Sequence, residues 1–565
     1  MINKRIKTLR EKFDQYNIDG YVIPKNDEFF SEYANKDRLK NISDFTGSAG
    51  LAIVMRKKNY LFIDGRYTIQ AEQQAGNNFK IIEIHKLFPK TILKNLKLGF
   101  DPNLFTQKNL DINFDNTFEL IPIPINLIDI IYQNRISIRK PFYSLTKKSV
   151  GESHQLKINK ICNILRLKKA DNLFISAPEN VAWLMNIRGY DNPTSPIPNC
   201  RLLINKNGKK YLIVEKKIAT KIVKEKKFNK NQIIDPKNLK ELILKLSGTK
   251  FIIDKLSCSV LNEKIIKSKF MIVENTDPCY DLKSTKNSTE IKNTIKAHEE
   301  DGLALTRFIY WIKYKNKKKI TEIEAKNKLQ SFRKLNKNYL YPSFDTIAGA
   351  GSNGAIVHYR VSKKSNKIIN KNDLFLCDSG GQYKFGTTDV TRTICFSKPK
   401  KSIKDAFTLV LKGHIAVYQT NLKKDNTGRR IDLRARKFLK KNGLDYAHGT
   451  GHGVGFFLNV HEGPQSISKF NSVKLKEGMI VSNEPGYYKT GRYGIRIENL
   501  LFIKKVGDNL SFENLTLAPI EKDLINYNLL TLDEKDYLFR YHLKIYEKFS
   551  KFLNLHERKW LASLI

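Results

Sequence analysis

The chain reads as a multidomain protein of mixed α/β and α+β class: two α/β units in tandem, a strand-rich unit, and a helical tail. Three observations predict this. At 565 residues the chain is far too long for one hydrophobic core, which points to three or four domains. Through the first half, apolar runs of strand length alternate with amphipathic stretches of helical period. From about residue 342 the period shortens to two, and strand-like runs dominate as far as LLFIKKV at 500 to 506.

The elements follow in order. The opening MINKRIKTLREKFDQYNIDG is basic but carries Glu11 and Asp14 and lacks an apolar segment, so it reads as an amphipathic helix and not as a secretory leader. From Ile18, YVIP and LAIVM read as strands, and DGRYTIQAEQQAG as a strand end running into a helix. The most apolar stretch, ELIPIPINLIDIIY, is broken by Pro122, Pro124 and Asp129 and is too short to span a bilayer, so no membrane association is expected. The pattern restarts at PFYSLTKKSVGESHQLKINKICNILRLKKA, where Pro141 and a polar turn precede a long helix, and strand-like LFIS and RLLIN follow. These signals set the first unit at residues 1–140 and the second at 141–281. After STKNSTEI, the run NTIKAHEEDGLALTRFIYWIKYK has helical spacing and opens a unit at 282–505. The remainder, 506–565, reads as packing helices with no chemical motif.

Hydrophobic residues make up 41% and charged residues 28%, with no repeat or low-complexity tract, so global disorder is excluded. The charge is unusual: 101 Lys+Arg against 56 Asp+Glu leaves +45. Such an excess raises nucleic acid or anionic membrane as partners. Lysines are nevertheless scattered through every segment beside Asn and Ile, without aromatic-flanked basic stripes. The charge therefore reads as compositional drift, and no specific nucleic-acid binding is expected; a functional groove would draw on a local cluster such as KYKNKKK at 313 to 319. Six cysteines lie far apart with no CxxC, which argues against a disulfide framework or zinc knuckle and for a reducing, cytoplasmic setting.

The chemistry concentrates late. LFLCDSGGQYKFGTTDVTRTICF, residues 374 to 396, reads as two strands joined by a Gly-bearing turn. Asp378 follows Leu374 and Leu376 on one face, and Asp389 lies on the returning strand, so both carboxylates can enter one cleft. Either motif alone would be a turn aspartate. MIVSNEPGYY adds Glu484 at a strand end, and in YGIRIENLLFI Arg496 and Glu498 share the face opposite Ile495 and Ile497. HGTGHGVGFFLNVHEGP, 448 to 464, threads three of the ten histidines through five glycines. Four carboxylates with an imidazole form a hard, oxygen-rich donor set, suited to two divalent ions of the Mn²⁺ type. Such a pair can share a hydroxide and polarise a carbonyl, giving hydrolysis without a serine or cysteine nucleophile.

Together DSGGQY, TTDVTRT, HGTGHGVGFFLNVHEGP, SNEPGYY and GIRIEN resemble the aminopeptidase P (Xaa-Pro aminopeptidase) branch of the pita-bread metallopeptidases, family M24. FTGSAG at 45 to 50 and DGRYTIQAE at 64 to 72 extend the resemblance to the three-domain form. It implies two creatinase-like N-terminal α/β domains, a pita-bread catalytic domain and a C-terminal helical extension. It further implies that Asp378 chelates one metal, that Asp389 and Glu498 bridge, and that His452 and Glu484 complete the other. The cofactor expected is a pair of divalent ions, Mn²⁺ first, with Zn²⁺ or Co²⁺ as alternatives. Among further residues, His358 in AGAGSNGAIVHYR resembles a proton-shuttling histidine of the cleft. His448 and His461 resemble those contacting the proline side and the scissile carbonyl, His461 stabilising the oxyanion. Glu484 would also move the proton, and Arg496, at the edge of the substrate site, would orient Glu498. Peptides with proline second are the expected substrates and a homodimer the expected assembly. Gly381 departs from the pattern, standing where alanine is more usual. Prolidase shares the five ligands but is shorter, methionine aminopeptidase is much shorter, and non-catalytic pita-bread modules have lost ligands that this chain keeps.

Overall fold

The structure, a computed structural model, describes residues 2–32, 36–132, 139–315 and 319–565. It comprises two compact units, Met1–Lys147 with Glu152–Tyr280, and Lys148–Gly151 with Asp281–Ile565.

The first unit contains two six-stranded mixed sheets built to one plan. One runs Lys80–Glu83, Asn59–Ile63, Leu51–Met55, Gly20–Pro24, Lys97–Phe100, Glu119–Pro122. The other runs Ile233–Ile234, Lys210–Ile213, Arg201–Asn205, Asn172–Ile175, Lys250–Ile253, Met271–Glu274. In each, the fourth strand is antiparallel to the third and parallel to the fifth. Tyr21 and Ile23 pack into one hydrophobic cluster and Val22 into another. Both faces of this strand are covered, which is why its sequence is an unbroken apolar run and does not alternate.

In the second unit, capping boxes start two successive helices: Asn287 with Glu290 opens Ser288–Tyr310, and Thr321 with Glu324 opens Glu322–Arg333. The expected hairpin forms, with Leu374–Ser379 antiparallel to Val390–Cys395, and Ile347–Ala350 lies on its other edge. Phe375, Cys377 and Ile394 pack with Phe308 and Leu329 of the helices. Leu376 belongs to a different cluster, with Ile347 and Tyr359, so Asp378 points to the side away from the helices. A five-stranded sheet runs Glu462–Ile467, Gly451–Gly453, Ile480–Asn483, Asn499–Val506, Asn509–Asn514. A separate hairpin pairs Gly486–Lys489 with Tyr493–Arg496.

Two features differ from the sequence reading. Helices Lys401–Tyr418 and Gly428–Lys440 interrupt the region expected to be mostly strand. Their signal was present, since the buried Ile431, Ala435 and Leu439 recur every four residues. The tail, expected to be helical, opens with the strand Asn509–Asn514, whose Phe512 packs beside Leu501 and Ile503. Helix Leu532–Phe549 then follows and buries Tyr537, Tyr541, Ile545 and Phe549 against the Ile495 and Ile497 side of the catalytic unit. Arg392 ties the two together: Nη1 donates to the Glu498 carbonyl at 2.6 Å, Nε to that of Pro519 at 2.9 Å, and Nη2 to Tyr541 at 2.9 Å. All six cysteines are free and buried, and no helix among the described residues is long and apolar enough to cross a membrane.

Candidate active site

Five side chains expected to bind metal converge in the second unit, each delivered by a short constrained segment. Asp378 is the last residue but one of the Leu374–Ser379 strand, Asp389 precedes Val390–Cys395, and Glu484 follows Ile480–Asn483. Glu498 lies between Tyr493–Arg496 and Asn499–Val506, and His452 sits at the centre of Gly451–Gly453. Glycine on either side of His452 is obligatory. A Cβ at Gly451 would lie 1.9 Å from the Ser482 carbonyl oxygen, and one at Gly453 2.1 Å from that of Glu462.

Asp389, His452 and Glu498 bring ligand atoms within 4.8 Å of one another. His452 Nε2 is 3.5 Å from Asp389 Oδ2 and 3.6 Å from Glu484 Oε1. Its Nδ1 donates to the Gly453 carbonyl at 2.9 Å, which turns Nε2 toward the carboxylates. Ser482 Oγ accepts from the His452 backbone and donates to Glu484 Oε1 at 3.1 Å, linking these two residues. Thr391 Oγ1 donates to Glu498 Oε2 at 2.8 Å.

Arg496 was expected on Glu498; instead its Nη2 holds Asp378 Oδ2 at 2.6 Å. It reaches Glu498 only through Thr391, whose hydroxyl accepts from Nε at 3.1 Å and donates onward. The cause is Thr393, whose Oγ1 accepts from the Arg496 amide at 3.1 Å and donates to its carbonyl at 3.0 Å, which holds Arg496 beside the strand Val390–Cys395 that also carries Thr391. From Nη1 the network continues at 2.6 Å to Tyr488, a residue not singled out from the sequence, and from there at 2.9 Å to His448 Nε2. His448 Nδ1 faces the Gly449 carbonyl at 2.7 Å and must carry the hydrogen, so Tyr488 donates to Nε2 and accepts from Arg496. Tyr488 lies diagonally across its hairpin from Arg496, and a period-two reading of PGYY against GIR would have placed both on one face.

The other two histidines border the same place. His461 packs edge-on against His452, with ring centroids 4.2 Å apart. The adjoining Glu462 is fixed by buried Lys283 and Lys286 at 2.9 and 2.5 Å. His358 follows Val357, whose carbonyl accepts from Arg496 Nη1 at 3.4 Å, so this loop reaches the site.

Four carboxylates face one guanidinium here. Burial pushes the Asp389 carboxyl up to about 6, against the His452 hydrogen bond and with the charge of Asp378 adding to it. Burial raises Glu498 well above the carboxylate range, reinforced by Asp389, Glu484 and Asp378. Glu484 is raised by burial as well, opposed by His452 and Arg496. Burial alone would lower His452, but the carboxylates of Asp389 and Glu484 outweigh it and hold it at about 9. These shifts are those of a buried site with more negative charge than its own side chains balance. Asp378 Oδ1 is also buried without a hydrogen-bond partner among the described residues. An orphaned carboxylate oxygen, a surplus of negative charge and a hard donor set all fit a pair of divalent cations.

Residues 292–505 match the model of metallopeptidase family M24, and 508–564 that of the C-terminal region of peptidase M24. Residues 5–123 and 136–290 each match a creatinase/prolidase N-terminal domain. The chain is 36% identical to a probable Xaa-Pro aminopeptidase P from Coprinopsis cinerea, covering 99% of this chain and 97% of that protein. It is also 36% identical to one from Laccaria bicolor, covering 99% and 92%. The crystal structure of X-prolyl aminopeptidase from Caenorhabditis elegans, described as a cytosolic enzyme with a di-nuclear active site, superposes with a TM-score of 0.91. It is 29% identical, and the match covers 100% of this chain and 99% of that one. Prolidase from Thermococcus sibiricus reaches 0.54 at 26% identity over 66% of this chain and 98% of its own. The chain therefore belongs to metallopeptidase family M24, as a three-domain Xaa-Pro aminopeptidase of the aminopeptidase P type.

Proposed function

We propose that the protein removes the N-terminal residue from peptides whose second residue is proline, in the cytoplasm, with two divalent ions of which Mn²⁺ is the first candidate. In this reading Asp378 would hold one ion, Asp389 and Glu498 would serve both, and His452 and Glu484 would hold the other. The domains run 1–140, 141–281, 282–505 and 506–565. The observation that supports the reading most is the orphaned Asp378 Oδ1 beside three carboxylates raised by burial and mutual repulsion.

When bound, the ions would acidify the attacking water near neutral pH and polarise the scissile carbonyl. The chain's own groups do the rest. Asp378, held rigid by Arg496, receives the substrate's free amine. Glu484 takes the proton of the attacking water, and its contact with Ser482 fixes the oxygen that does so. His461 donates to the developing oxyanion, and His358 relays a proton toward the departing proline nitrogen. His448, locked in one tautomer by Gly449 and Tyr488, meets the proline side with a fixed edge.

A prolidase would cleave Xaa-Pro dipeptides instead. Incubating the protein with Mn²⁺ and either Xaa-Pro-Xaa or Xaa-Pro peptides separates the two. Release of the first residue from the longer peptides, abolished by chelator, is expected; preferential dipeptide cleavage would make the protein a prolidase.

A further inference from the structure

Behind the aspartate pair lies a buried ion pair for which the reaction has no use. Asp301, on helix Ser288–Tyr310, and Arg333, the last residue of helix Glu322–Arg333, are both buried. Arg333 Nε donates to Asp301 Oδ1 at 2.7 Å and Nη2 to Oδ2 at 3.2 Å. The same guanidinium continues to the hairpin, with Nη2 donating to Ser379 Oγ at 3.0 Å and Nη1 to the Gly380 carbonyl at 3.3 Å. Ser379 and Gly380 are the two residues after Asp378.

The Asp301 carboxylate reaches the opposite arm. Oδ1 accepts from the Tyr383 hydroxyl at 2.7 Å, and Oδ2 from Thr388 Oγ1 at 3.0 Å. Thr388 immediately precedes Asp389. Ser343 Oγ donates to the Thr388 carbonyl at 2.8 Å, and the Gly381 amide to Thr388 Oγ1 at 2.9 Å. A Cβ at Gly380 would stand 2.0 Å from the Thr388 carbonyl oxygen, so the arms touch backbone to backbone at this point.

Stability is a weak reason to keep such a pair, because desolvation offsets most of its attraction and apolar residues of similar volume often serve as well. Geometry is a stronger one. A planar fork bonded to a carboxylate on one side and to a turn on the other fixes a distance that packing leaves soft. Two carboxylates that repel each other need such a restraint. We infer that Asp301 and Arg333 are positioning residues that hold Asp378 and Asp389 at ligand spacing before the ions arrive. The inference rests on the assignment of those aspartates as metal ligands.

The test uses the full chain, stripped with chelator and titrated with Mn²⁺ in a calorimeter, alongside thermal melts in chelator. Arg333→Lys keeps the charge facing Asp301 but loses the fork; Thr388→Val removes the hydroxyl that bonds Asp301 and the Gly381 amide, and no charge. Each variant is expected to melt within a few degrees of the parent while its weaker Mn²⁺ dissociation constant rises by roughly 10–100-fold, the usual effect of losing a group that orients a ligand. Saturating Mn²⁺ should return kcat to within a few-fold of the parent. Combined, the two changes should cost less than their sum, because both act through one clamp. Unchanged Mn²⁺ affinities in variants that melt like the parent would overturn the inference alone. So would affinity losses that merely track lost stability in chelator. Should Arg333→Lys fail to fold, Thr388→Val decides by the same readout. A parent protein that takes up fewer than two ions would overturn both the inference and the functional reading beneath it.

Discussion

Asp378 meets a guanidinium, whereas the carboxylates of Asp389 and Glu498 accept from no arginine or lysine among the described residues. Replacing either of the latter removes charge that only cations balance, so Asp389→Ala and Glu498→Ala should lose both bound ions and hydrolysis. Metal analysis of the purified variant checks this, and near-normal turnover with two ions bound would mean the site lies elsewhere. His358→Ala should behave differently, keeping its metal and losing turnover by about 10²–10⁴-fold, the usual worth of a placed proton carrier. Loss of metal in that variant would make His358 a ligand or a scaffold residue. At this scale the sequence was legible where chemistry is compressed into motifs, as in HGTGHGVG. It was silent where one residue meets another far along the chain: Arg496 and Asp378 are 118 positions apart, and Arg333 and Ser379 are 46 apart. Nothing local in Thr391 announces which distant atom it will bind.

Helix Leu532–Phe549 was legible as an amphipathic packing element, yet its one buried histidine sets a pH limit that periodicity does not express. His542 Nε2 accepts the Ile520 amide at 3.2 Å. Burial, with Arg392 adding to it, pushes its pKa down to about 4. The unfolded chain binds this proton below about 6.5, well above the folded pKa, so folding stability is complete above that pH and falls as the solution is acidified toward 4. At pH 5 the loss from this residue is about 2 kcal/mol. His542→Gln should therefore narrow the difference in melting temperature between pH 7.5 and pH 5; an unaltered difference would show that His542 is protonated in the fold. Elements were misread where two periods compete in a short window. Helices Lys401–Tyr418 and Gly428–Lys440 follow one another between the strands Val390–Cys395 and Gly451–Gly453, and Asn509–Asn514 is a six-residue strand at the start of a helical tail. The tandem sheets were easier, because strands covered on both faces are written as plain apolar runs.

Across the whole molecule the +45 charge remains the feature that peptidase chemistry does not require. In KYKNKKK, Lys313 is only 7% exposed and bonds both oxygens of Glu521, so it is closed to a phosphate; residues 316–318 lie outside the described residues. A labelled DNA duplex should accordingly bind weakly and dissociate steeply as salt rises through physiological strength, and peptide hydrolysis should ignore it. Retention at the higher salt would identify a true groove. A different whole-molecule property follows from Arg392, whose one guanidinium joins the Glu498 carbonyl to Pro519 and Tyr541. Whatever free energy the ions contribute to the folded state is shared by every segment that must open together with Glu498. At an ion concentration 100 times the dissociation constant that contribution is about 2.7 kcal/mol. Amide hydrogen exchange along Leu532–Phe549 should then slow by about 100-fold on loading Mn²⁺, although the helix touches no ligand, making the tail a gauge of metal occupancy. Exchange there that is indifferent to Mn²⁺ while Asn499–Val506 slows would mean that the tail opens as a separate cooperative unit.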